Sequence, residues 1–205
     1  MKLKNLAARR SDRTTHRMPA RMLALLLAPV LSLVLLTSAM AEEFNILSAK
    51  AWFDHSQLRV DAQLDLELSE EVEEAVNKGI PVTILVDLSL YKVRNALIWD
   101  SEIANWQFPY QLQYHALTRH YLIKYPHSER VEPYPTISAA LKALAGFSFE
   151  SEVIGETLPA SKRGYKLAMQ VKLDVESLPA PLRVMARVLP SWRLKSSWFE
   201  WRMQP

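Results

Sequence analysis

Leu58, Val60, Ala62, Leu64, Leu66 and Leu68 occupy every second position of one stretch, and Arg59, Asp61, Gln63, Asp65 and Glu67 fill the gaps. A period of two puts successive side chains on opposite faces of a strand, so this stretch has one face for a core and one for water. Tyr165, Leu167, Met169, Val171, Leu173 and Val175 repeat the pattern against Lys166, Ala168, Gln170, Lys172 and Asp174. One wet face per strand is usual in antiparallel sheets and unusual in parallel ones. Val82, Ile84, Val86, Leu88 and Leu90 give a third strand. Leu85 and Tyr91 on its other face predict that this side is covered too.

Shorter signals complete the fold. Asn45 to Phe53 reads as a strand that turns at Asp54-His55-Ser56 into the 58–68 strand, a hairpin. Gln111 to Tyr125 reads as one or two strands. Its apolar parity changes from Leu112, Tyr114 and Ala116 to Tyr121, Ile123 and Tyr125, which predicts a bulge or a break near Leu117-Thr118. A last strand is predicted from Trp192 to Met203. Ser69 caps a helix with Glu70, Glu71 and Glu73 in its first turn and Gly79 at its end. A second helix is predicted over about Thr136 to Ala145, and a third helical turn after Leu178-Pro179-Ala180-Pro181. The fold expected is mainly β: an antiparallel β-sandwich-like domain with two or three short helices, preceded by an N-terminal signal helix.

That leader has its own signature. Lys2, Lys4, Arg9, Arg10, Arg13, Arg17 and Arg21 face a single acid, Asp12, and an apolar run from Met22 to Leu36 follows. The run is shorter than the ~20 residues that cross a bilayer as a helix. A basic head, a short apolar run and the small residues Ala39 and Ala41 describe a secretory signal peptide. Residues 1–41 are therefore expected to be removed, with Glu42 as the new start and 42–205 as one exported, periplasmic domain. Met18 is an alternative translation start. A leader kept as an inner-membrane signal anchor is the alternative to cleavage.

Removing the leader changes the electrostatics. The full chain carries 25 Lys and Arg against 22 acids, a net +3. Residues 42–205 carry 18 against 21, a net −3. The basic character belongs to the leader, and no nucleic-acid partner is read from it. Within the domain, residues 42–159 hold 9 bases and 18 acids, and residues 160–205 hold 9 bases and 3 acids. Adjacent segments that neutralise each other explain this. So does a basic patch for an anionic envelope component such as a lipid headgroup. The chain has no cysteine, so neither disulfides nor thiol chemistry is available.

Several motifs together resemble a known family. They are Tyr114-His115-Ala116-Leu117-Thr118-Arg119-His120-Tyr121, Thr136 to Leu144, Leu173 to Leu182, and Trp192-Arg193-Leu194-Lys195-Ser196-Ser197-Trp198-Phe199-Glu200-Trp201. Arg94 with Ile98-Trp99-Asp100 is a looser match. In this order they resemble the proteobacterial envelope family catalogued as domain of unknown function 4390. The resemblance implies export and a single domain. It implies no activity, cofactor or catalytic residue.

Catalytic spacing is sparse. His55, His115, His120 and His127 show no i, i+4 pair with an intervening Glu, so no metal site is expected. The four glycines form neither a nucleophile elbow nor a phosphate cradle. No cofactor and no catalytic residue is assigned. An envelope hydrolase with an unrecognised site is the remaining catalytic reading, and a pocket with two carboxylates, or His115 and His120 with an acid, would raise it. A small outer-membrane barrel is disfavoured, because the alternating strands carry charges where lipid would lie. Tryptophan and arginine are what remain. Both dominate binding surfaces, and tryptophan equally packs β cores. The candidate binding residues are Trp192, Arg193, Lys195, Trp198 and Trp201, with Arg94 and Trp99 second. Their expected partner is an envelope protein or an anionic envelope component. The function expected is a non-catalytic binding or accessory module.

Overall fold

The computed structural model describes residues 44–54, 57–93, 100–152 and 164–203. The leader with Ala39, Ala41 and Glu42, the alternative start Met18, His55, Arg94 and Trp99 all lie outside them. Two antiparallel sheets form the domain. The smaller sheet has the order β1 (Phe44–Asp54), β2 (Gln57–Leu66), β7 (Gly146–Glu152). The larger runs β6 (Val131–Tyr134), β5 (His120–Lys124), β4 (Ser101–His115), β3 (Val82–Lys92), β8 (Tyr165–Leu173), β9 (Phe199–Arg202). Three α-helices join or flank them: α1 (Glu70–Asn77), α2 (Ile137–Ala145) and α3 (Ala180–Val188).

Alternation decides which faces meet. Leu58, Val60, Ala62, Leu64 and Leu66 of β2 are buried, and the side chains between them are not. Val82, Ile84, Val86, Leu88 and Leu90 of β3 face them from the other sheet. Phe108 of β4 meets Phe147 and Phe149 of β7 edge-on, with ring centroids 5.2 and 4.8 Å apart. The predicted sandwich therefore has its core between the two sheets. In β1 a register shift between Ile46 and Ser48 resets the parity. Phe44 and Ile46 point inward before it, Ala49, Ala51 and Phe53 after it, and Leu47 is left exposed.

The helices form where their caps predict. The Ser69 hydroxyl accepts from the Val72 N–H, and Val72, Ala75 and Val76 are buried. Gly79, at φ 82°, takes the left-handed conformation that turns the chain towards β3. The Thr136 hydroxyl accepts from the Ala139 N–H at the start of α2.

The parity change between residues 112 and 125 is the break expected near Leu117-Thr118: β4 ends at His115 and β5 begins at His120, with Arg119 at φ 54° in the turn. One expectation is corrected. The strand predicted from Trp192 to Met203 is shortened to Phe199–Arg202. Pro190–Trp192 is a single 3-10 turn, because Pro190 cannot donate a ladder bond. From Leu194 to Ser196 the chain still tracks β8. Leu194 O accepts from the Leu173 N–H at 2.8 Å, and the Ser196 N–H donates to Val171 O at 2.8 Å. The buried Ser196 hydroxyl accepts from the Val171 N–H at 3.0 Å, standing in for a strand carbonyl.

Candidate functional site

The second face of β3 is covered, as Leu85 and Tyr91 predict, but by polar groups. Asp87 and Ser89 lie on it and are buried. Asp87 Oδ1 accepts from Gln107 Nε2 of β4 at 2.8 Å, and Oδ2 pairs with Lys172 Nζ of β8 at 2.6 Å. Asn105 donates to the Ser89 hydroxyl at 2.8 Å. Further along, Lys166 Nζ lies 3.1 Å from Asp100 and 3.2 Å from Glu200. Bases of the basic C-terminal segment thus meet acids of the acidic one, the neutralisation that the uneven charge distribution allowed. Every polar atom named here has a partner within the sheet, so this belt holds strands together.

A second polar cluster closes the β5–β6 end. Glu132 accepts from the hydroxyls of Tyr125 and Tyr134 at 2.9 and 2.7 Å and from Arg130 Nε at 2.8 Å. The Arg130 guanidinium also sits 4.4 Å from the Tyr125 ring centroid. Hydrogen bonds from Tyr134, Arg130 and Tyr125 hold the Glu132 carboxyl below its ordinary range. A carboxylate so held is a poor proton donor. Burial, and then the neighbouring Tyr125, pushes the Tyr110 phenol up to about 12. Burial and hydrogen bonds to Tyr125 and Glu132 raise Tyr134 as well. A phenol whose folded value is raised contributes stability below its ordinary value of about 10 and loses it as the pH climbs to the folded value. The urea midpoint is therefore expected to fall between about pH 10 and 12. Tyr110→Phe should flatten that fall by about 1–2 kcal/mol, after allowance for solvent screening. A pH profile identical to wild type would contradict the placement of this phenol.

The hairpin histidines are half-buried. His115 and His120 are register partners, and each turns its Nδ1 to Thr118: to the hydroxyl at 3.0 Å and to the carbonyl oxygen at 2.5 Å. No acid joins them in these bonds. His127, at φ 52°, donates to Gln107 O at 3.0 Å. It stands beside a cleft of about 670 Å³ lined by Thr83, Gln111, Lys124 and Glu129. A second cleft of about 510 Å³, between β2 and α2, is lined by Asp65, Glu67 and Glu73. All three carboxylates stand exposed, Asp65 on the outward face of β2, Glu67 just past its end and Glu73 in the first turn of α1. No buried environment sets one of them apart as a general acid. Among the described residues, no group of three or more His, Asp or Glu could hold a metal ion.

The C-terminal segment is different. Trp192 is buried at 5 % exposure, in the 3-10 turn that packs against α1. Leu194 and Ser196 are buried while Arg193 and Lys195 point outward. Trp198 is 48 % exposed. Trp201 pairs with Leu167 across β8, packs on the core and stacks obliquely on Phe199 at 5.8 Å. Of the candidate residues described, Arg193, Lys195 and Trp198 are open to a partner, and Trp192 and Trp201 serve the interior.

The sequence model of the family described as Domain of unknown function (DUF4390) matches residues 41–202. The chain belongs to this family. The match takes in both sheets and the three described helices, so the family's domain and the sandwich are the same unit. No curated protein and no solved structure matches the chain.

Sequence reasoning missed one feature of this DUF4390 domain. Helix α3 buries only Ala186 completely. Val184, Met185, Val188 and Leu189 are exposed at 66, 57, 71 and 38 %. The spacing of Pro181, Val184, Met185 and Val188 marks an amphipathic helix.

Proposed function

We propose that this chain is an exported, non-catalytic binding module. It would present α3 and the stretch from Arg193 to Trp198 to another component of the cell envelope. One observation carries the reading. Nine large apolar side chains are exposed among the described residues, and five of them lie between Val184 and Trp198. Scattered apolar residues on a surface are ordinary, but a concentration of them beside basic groups marks an interaction surface. Export rests on the leader's basic head, short apolar run and small residues before Glu42. The same apolar run, if retained, would tether the module to the inner membrane.

The test is a photo-reactive amino acid placed at Trp198 or Val188 in intact cells, with Ser148, on the outward face of β7, as the reference position. Crosslinks are expected at 198 and 188 and not at 148, on a chain beginning at Glu42. Equal crosslinking at all three positions, or a product confined to the cytosol, would sink the reading.

A further inference from the structure

We propose that the exposed face of α3 docks on an anionic lipid surface, lying in the headgroup plane with Val184, Met185 and Val188 turned into the acyl boundary. This deepens the binding reading above and rests on it. The stripe is convex: α3 packs chiefly against the single 3-10 turns on either side, Val175–Ser177 and Pro190–Trp192, and gives the core Ala186 and the partly buried Leu182, both off the stripe. A convex apolar ridge needs a shaped groove on a protein partner, whereas a fluid acyl boundary accepts it directly. With nine residues the helix is far too short to cross a bilayer, so it can only lie flat.

Charge points the same way. Arg183, Arg187 and Arg193 flank the stripe, and Glu176 is the acid set against them. Arg187 is engaged by Glu176 at 2.6 Å. Arg183 donates to Leu178 O at 2.9 Å and Arg193 to Arg187 O at 3.0 Å, both neutral carbonyls, so the one carboxylate of Glu176 faces three guanidinium groups and the cluster keeps a positive surplus. Residues 42–159 are strongly acidic, so attraction to an anionic surface would turn the C-terminal side towards it. Guanidinium groups beside an apolar stripe match the depth profile of a headgroup layer.

The absence of cysteine allows a clean test on the full chain. A single cysteine replaces Val188, or Ser148 as the reference, and carries an environment-sensitive nitrobenzoxadiazole dye. Each labelled protein is titrated with phosphatidylcholine vesicles and with phosphatidylcholine–phosphatidylglycerol vesicles. The leader is present in every sample, so only the difference between positions and lipids is read. Emission at 188 is expected to rise and shift blue with the anionic vesicles only, and emission at 148 to stay unchanged. Arg193→Gln should weaken the response about fivefold in lipid concentration, the effect of one basic residue near such a surface. Val184→Asp should abolish it while the far-ultraviolet circular dichroism stays native.

No change at 188, or an equal change with neutral vesicles, overturns the proposal. So does a blue shift on concentrating the protein without lipid, which would assign the face to a second copy. If the 188 signal fails while the crosslink at 198 persists, the lipid assignment falls alone. If both fail, the binding reading falls with it.

Discussion

Lys172→Met should destabilise the domain by about 2–4 kcal/mol, more than Asp87→Asn does. Asp87 lies at the centre of β3, bridged to Lys172 on one side and Gln107 on the other, and its side chain is 6 % exposed against 38 % for Lys172. When the lysine goes, the carboxylate is left in the sheet with one amide donor and little water. When the carboxylate is replaced by an amide, the ammonium on its flexible stem reaches solvent and the Gln107 bond persists in modified form. The pair of single substitutions and the double variant Asp87→Leu with Lys172→Met form a cycle, read by urea midpoints. The double variant should recover much of the loss, since apolar replacements of a buried pair leave nothing unsatisfied. Equal costs for the two single changes would mean that the carboxylate is better hydrated than its position shows.

Trp192→Ala should cost about 3–5 kcal/mol, and Trp198→Ala less than about 1. The two residues are six positions apart in one aromatic segment, but one is 5 % exposed and the other 48 %. Removing the first opens a cavity between the C-terminal segment and the body of the sandwich. Removing the second takes a half-solvated ring off the surface. Thermal or urea denaturation distinguishes them directly, and the Trp198 variant should stay folded. If Trp198→Ala unfolds the domain, the surface assigned to it is part of the core.

The sheets were legible where alternation was clean. β2, β3 and β8 announce themselves because each strand's inward residues are almost all branched or long aliphatics. The helix starts were legible because Ser69 and Thr136 supply their own caps. The tail was not, because parity carries meaning only along an unbroken strand. Between Trp192 and Trp198 the chain departs from strand geometry and Ser196 lends a side-chain oxygen to the ladder. Trp192 and Trp198, on the same parity, therefore end in opposite environments. α3 escaped for a complementary reason. Periodicity shows that a helix has an apolar side, and only the packing of the chain shows that this side faces outward.

Both sheets share a dependence on late segments. β2 waits for β7, and β3 waits for β8. A chain emerging from its N-terminus holds the β1–β2 and β3–β4 hairpins long before residues 146–173 arrive to complete them. During that interval the apolar flanks of β2 and β3 have no second neighbour, and Asp87 has no Lys172. Pairings so distant along the chain carry a large loop-closure entropy and form slowly. Half-made sheets with unpaired edges are prone to aggregate. A chain cut short before Gly164 should precipitate instead of settling into a smaller domain.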